Sequence, residues 1–167
     1  MSIVNERYSF ERDAPPGCRA AFTSPPKRTL FLPGTEFCRI VTAENPRTGD
    51  TGNEIFGSPW WFSRATLRQI VARAGPKGLG VSDVARIQLA IAKEFNPKMD
   101  WICVMYLAQS AYGWSGKAAR QLARDGANIY LGGGAEQVFL PNLAAASSGI
   151  ARDWARLRFF GVLPDFF

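Results

Sequence analysis

Four groups of side chains in this sequence have the type and spacing to do chemistry, and none contains a histidine. Arg39 lies within Glu36-Phe37-Cys38-Arg39-Ile40-Val41, where it alternates with apolar neighbours. On a strand facing a cleft, such an arginine clamps a phosphate through two parallel N–H groups. The run Gly57-Ser58-Pro59-Trp60-Trp61-Phe62-Ser63 sets two adjacent indoles beside small hydroxyls. Neighbouring strand residues point to opposite faces, so one ring packs while the other lines a pocket. That pairing suits a flat heteroaromatic carrying an amide. Gly132-Gly133-Gly134 precede Ala135-Glu136-Gln137-Val138. Glycines there permit positive φ and close approach of a ligand, which Glu136 or Gln137 would meet at the start of a strand. Finally, Arg152, Arg156 and Arg158 are expected to face out from a last helix, a basic set that could contact nucleic-acid phosphates. Each group also has a plainer reading: a water-facing edge arginine, two core tryptophans, a hairpin turn and a solvated helix face.

Composition removes many alternatives. With no histidine among 167 residues, Ser-His-Asp and Cys-His catalysis and His-ligated zinc or haem are excluded. Cys18, Cys38 and Cys103 are odd in number and widely spaced, so neither a disulfide framework nor a metal site is expected. The glycine triplet is not followed by Gly-Lys-Ser/Thr or by a helix, so it is neither a phosphate-binding P-loop nor a dinucleotide fingerprint. The fourteen acids show no pairing that nominates a two-carboxylate hydrolase. The net charge of +6 makes acidic partners attractive. The polar N-terminus carries no apolar signal segment and no run spans a bilayer, so the expectation is a cytoplasmic protein without a membrane partner.

These residues need elements to position them. Seven of the eleven prolines fall between Pro15 and Pro59, and residues 1–29 read as an extended Pro-rich lead-in. A single α+β domain is expected over 30–167. Strands are expected near Leu30–Leu32, Glu36–Val41, Ile55–Phe62, Asp100–Ala108, Asn128–Leu131 and Gln137–Leu140. A polar loop is expected at Glu44–Glu54. Ser63 should cap a helix to Ala74, with Leu67, Ile70 and Ala74 inward. A second helix should run from Ser82 along Val84, Ile87, Ile91 and Phe95 to the stop at Asn96-Pro97. Tyr112–Gly116 reads as an irregular edge, Lys117–Arg124 as helical, and a helix capped by Ser147 or Ser148 should bury Ile150, Trp154 and Leu157.

The order of these pieces resembles the ADP-ribosyltransferase superfamily, and within it bacterial toxins and NAD glycohydrolases with a Gly-Gly-x-Gln type turn. A strand arginine comes first, then an aromatic/Ser strand leading into a helix, then a Gly-rich turn into a strand starting Glu-Gln. The resemblance implies a split mixed or antiparallel sheet with flanking helices, and NAD as substrate with no metal. It places Arg39 on the NAD phosphates and Ser58, Trp60, Trp61 and Ser63 around the nicotinamide. Gly133 falls in the ligand-approaching turn, and Gln137 or Glu136 on the nicotinamide ribose. The motif favours Gln137; charge favours Glu136. Ala135 and Gly134 occupy the upstream positions where transferases carry an acceptor-choosing residue, so hydrolysis and transfer to protein or nucleic acid both stay open. The implied biology is a bacterial toxin or effector, delivered without a signal peptide and neutralised by an immunity or antitoxin protein. The competing reading is a non-enzymatic basic α+β module that binds nucleic acid or a protein partner, with Arg152, Arg156 and Arg158 as its contacts.

Overall fold

A computed structural model of the chain describes residues 2–42, 55–123, 129–143 and 153–163. Its strands are β1 (Lys27–Phe31), β2 (Glu36–Val41), β3 (Trp60–Ser63), β4 (Trp101–Leu107), β5 (Ala111–Lys117), β6 (Gln121–Leu122), β7 (Tyr130–Leu131), β8 (Glu136–Phe139) and β9 (Ala155–Val162). Its helices are α1 (Phe10–Asp13), α2 (Pro16–Arg19), α3 (Arg64–Ala74) and α4 (Val81–Gln88). Seven strands form one antiparallel sheet in the order β1-β5-β8-β3-β2-β4-β9, and β6 pairs with β7 separately. The protein is therefore α+β with a large antiparallel sheet.

The four-residue strand β3 is the hinge of this sheet. Its first half pairs with β8, Trp60 opposite Phe139 and Trp61 opposite Val138. Its second half pairs with β2, Phe62 opposite Cys38 and Ser63 opposite Phe37. Arg39, Ile40 and Val41 continue along β4 alone, opposite Cys103, Ile102 and Trp101. Two half-sheets thus share one short strand and separate on either side of it.

Alternation along the strands gives each face its own core. Phe37, Trp61, Cys103, Met105, Val138 and Leu140 pack on one face. Cys38, Ile40, Phe62, Ile102 and Val104 pack on the other, against Leu67, Ile70 and Ala74 of α3 and Val84 and Ala85 of α4. Helix α3 starts where expected, because the Ser63 hydroxyl accepts a hydrogen bond from the Thr66 amide at 3.0 Å.

Several expectations are corrected. The first 29 residues are not simply extended: they hold α1 and α2, and Phe10 and Phe22 are buried with Trp114 and Phe139. Asn5 ties them down further, donating to the carbonyls of Tyr112 (3.2 Å) and Pro141 (3.1 Å). Tyr112–Gly116 belongs to the inner strand β5. Its glycines are there for close packing: a Cβ on Gly113 would lie 2.7 Å from Leu140 Cδ2. Lys117–Ala123 is strand and loop, not helix. The second helix stops at Gln88, seven residues short of Phe95. The end of the chain holds the edge strand β9 in place of a helix. There Leu157 and Phe159 pair with Met105 and Val104, and long-range pairing overrides the local helical spacing. The expected loop at 44–54, the start of the expected last helix, and Arg152 lie outside the described residues.

Candidate functional site

A cavity of about 530 Å³ opens where β2 and β3 part, a volume typical of small-molecule sites. Arg39 and Ile40 of β2, Trp60 and Trp61 of β3, and Gln137 of β8 form its sheet wall. Gly17, Cys18 and Ala21 of the N-terminal segment form a second wall, and Leu89–Ile91, Phe95 and Asn96 a third. Gly57 and Ser58 stand beside the tryptophans, with Gln121 of β6 also in the lining. Arg39, Ser58, Trp60, Trp61 and Gln137 are therefore brought together, although nearly a hundred positions separate the first from the last.

Arg39 carries the sole formal charge among the described lining residues; no Asp or Glu is among them. It is half-buried. Burial holds its guanidinium down at about 10, with proximity to Cys103 pulling slightly the other way. At neutral pH it is still a cation. The cavity therefore favours an anionic ligand, and its described lining offers no carboxylate to act as a base.

The two tryptophans divide as alternation requires. Trp61 is 1% exposed and donates its indole N–H to the Ser58 carbonyl at 3.1 Å; it is a packing residue at the cavity's edge. Trp60 is half-buried, edge-on to Phe139 with ring centres 5.1 Å apart and tilted against Phe22 at 5.4 Å. Its ring is the more accessible of the two. The Ser58 hydroxyl accepts from the Trp60 amide at 3.3 Å, which shapes the entry to β3.

Glu136 and Gln137 face opposite ways. Gln137 is 7% exposed, lines the cavity, and donates Nε2 to the Ala21 carbonyl at 2.8 Å. That bond fixes which end of the amide is left as an acceptor. Glu136 is exposed and does not line the cavity. Ser63 is also absent from the lining: its hydroxyl is used by the Thr66 amide as a helix cap. Gly133 has a different task from the one expected. It has φ +69°, a Cβ there would lie 2.3 Å from the Ala118 carbonyl oxygen, and its amide donates to the Ile87 carbonyl at 2.9 Å. The glycine turn thus stitches the end of α4 to the start of β8 and does not touch the cavity. Arg156 and Arg158 are exposed on β9, and Arg158 meets Glu36 at 2.7 Å, so the expected arginine stripe on a helix does not form.

Sequence reasoning missed the third wall. Asn96 is 6% exposed, donates Nδ2 to the Ile40 carbonyl at 2.7 Å and accepts from the Thr42 hydroxyl at 2.6 Å. Asn96-Pro97 reads locally as a helix stop, and nothing nearby in sequence announces its partners on β2. Cys18 also lines the cavity. Burial raises its thiol, and burial pushes Cys38 and Cys103 to about 12, so all three stay protonated at neutral pH. Among the described residues no group of three His, Cys, Asp or Glu could hold a metal, and no helix is long and apolar enough to cross a membrane.

No family model and no curated protein matches the chain. Among solved structures, similar chains include one described as "Rhs1-CT in complex with cognate immunity protein RhsI1", at 16% identity and a TM-score of 0.47. The alignment covers 80% of this chain and 76% of that one. Another is described as "Structure of Tne2 in complex with Tni2", at 15% identity and a TM-score of 0.44, covering 83% of this chain and 92% of that one.

Proposed function

We propose that this protein cleaves NAD at the nicotinamide–ribose bond, as an enzyme of the ADP-ribosyltransferase type acting as a bacterial effector. The observation that carries the reading is the meeting of Arg39, Trp60 and Gln137 in one cavity, at the point where the sheet splits, with no carboxylate among the described lining residues. The chemistry fits that inventory. The C1′–N bond breaks and its electron pair leaves with nicotinamide, which departs neutral and needs no proton. The positive charge passes to an oxocarbenium-like ribose, water adds at C1′, and its proton is lost to solvent. No histidine is required.

In this reading Arg39 holds the pyrophosphate and Trp60 flanks the nicotinamide. Gln137 Oε1 accepts a hydrogen bond from a ribose hydroxyl, its orientation set by the Ala21 carbonyl. Positioning and preorganised dipoles supply the rate. The effector reading extends to delivery into a target cell's cytoplasm and to a neutralising immunity protein.

The test is nicotinamide release from NAD. Wild type is expected to release it, Gln137→Ala and Arg39→Ala to lose at least a hundredfold in rate, and Glu136→Ala to match wild type. Absence of release by wild type, or full release by both cavity variants, refutes the reading.

A further inference from the structure

We infer that Asn96 is a positioning residue: it holds β2 apart from β3 at the cavity and so sets where Arg39 stands. The inference rests on the NAD reading and deepens it, by naming what keeps the phosphate-binding cation in place.

Strand register shows why a holder is needed. Phe37 faces Ser63 and Cys38 faces Phe62. The same register carried further would set Arg39 against Trp61 and Ile40 against Trp60, and the cavity that these four residues line would close. Instead the tryptophans pair with Val138 and Phe139 of β8. A strand that leaves its neighbour exposes backbone groups that must find other partners. At Ile40 the partner is a side chain, because Asn96 Nδ2 donates to the Ile40 carbonyl at 2.7 Å. Asn96 thus partners Ile40 where the register would have brought Trp60, and Ile40 is the residue next to Arg39.

The asparagine is itself locked. It is buried, and its Oδ1 accepts from the Thr42 hydroxyl at 2.6 Å, so the amide cannot turn over. The buried Thr42 hydroxyl accepts in turn from the amides of Lys98 (2.9 Å) and Met99 (3.0 Å), which uses its one donor and both acceptor positions. Arg86 of α4 donates to the carbonyls of Asn96 (2.8 Å) and Pro97 (2.9 Å). Met99 is kept at φ +55°, a left-handed conformation that is costly without glycine. A residue needed only to stop a helix would be satisfied within its own loop. Both side-chain bonds of Asn96 run instead to β2, 54 and 56 positions away, and the residue lines the cavity. A fully satisfied buried cluster of this kind fixes a single arrangement, here the one with the sheet open.

The experiment pairs Thr42→Val with Thr42→Ser in the full chain. Thr42 is not among the described residues that line the cavity, so neither change alters a described ligand contact. Valine removes the hydroxyl that fixes the Asn96 amide, and serine keeps it. A misplacement of about 1 Å can cost about a hundredfold, so Thr42→Val is expected to weaken ADP-ribose binding about tenfold or more in calorimetric titration, and to raise the KM for NAD in parallel, with Thr42→Ser within about twofold of wild type. Each is measured well below its own melting temperature. A second readout needs no variant: ADP-ribose should slow hydrogen exchange at the Lys98 and Met99 amides of wild type, which bond Thr42 and lie outside the described lining. If Thr42→Val is merely less stable and binds ADP-ribose as wild type does, or if the ligand leaves both amides exchanging as before, the cluster is scaffold alone and the inference is overturned while NAD use stands. If wild type neither binds ADP-ribose nor releases nicotinamide, the NAD reading is overturned and the inference with it.

Discussion

Arg39 should be a residue whose removal makes the protein more stable and less active. Burial disfavours the charged form and brings the Arg39 guanidinium down from the ordinary arginine range to about 10. For a base, a folded-state pKa below the unfolded one means that the charge opposes folding. The penalty is complete below about pH 10 and is relieved only as pH climbs from there toward the ordinary arginine range. At about 1.4 kcal/mol per pH unit, the depression corresponds to about 3 kcal/mol at neutral pH. The side chain is half-buried and keeps some access to water, which lowers the recoverable part to about 1–3 kcal/mol. Arg39→Met keeps the length and removes the charge. A gain of that size raises the melting temperature of a chain this long by roughly 2–10 °C. Differential scanning calorimetry at pH 7 measures it, with nicotinamide release followed on the same samples. A melting temperature that drops by several degrees would show that Arg39 is a structural cation. Retained turnover would show that it holds no phosphate. Either result refutes the reasoning.

Other substitutions separate scaffold from site. Gly133→Ala puts a Cβ against the Ala118 carbonyl in a left-handed conformation, and should cost about 3 kcal/mol or more in urea unfolding. Ser63→Ala removes the cap of α3 and should cost about 1 kcal/mol, with the KM for NAD unchanged. Cys18, raised by burial, should react with N-ethylmaleimide more slowly than a free thiol at pH 7.5 and faster as pH climbs past the ordinary thiol range. ADP-ribose in the cavity should slow it further, while Cys38 and Cys103, buried and near 12, stay unlabelled in the folded protein; mass spectrometry of labelled peptides reads all three.

The parts of the fold that could be read from the sequence were those whose cause is local. Alternation in β2, the Ser63 cap of α3 and the apolar run of β4 each declare themselves within a few residues. The parts that could not be read depend on distant partners. Gly113 and Gly116 look like turn residues until Leu140 and Phe22 are known to press on them. The β9 segment has helical spacing until β4 offers it an edge. Asn96 looks like a stop signal until Thr42 and Ile40 appear beside it. The candidate site divides in the same way. The chemical types of Arg39, Trp60 and Gln137 pointed to them, but their meeting depends on how β3 is shared between two half-sheets. Glu136, Ser63 and Gly133 had equally suggestive types. Strand alternation, a capping bond and a carbonyl 2.3 Å from a would-be Cβ assign them to the scaffold or the surface.

The most direct measurement is a crystal structure of the protein soaked with ADP-ribose. A pyrophosphate oxygen is expected within hydrogen-bonding distance of the Arg39 guanidinium, and a ribose hydroxyl on Gln137 Oε1. Density for the ligand elsewhere on the surface, or in the cavity with its phosphates turned away from Arg39, would contradict that placement.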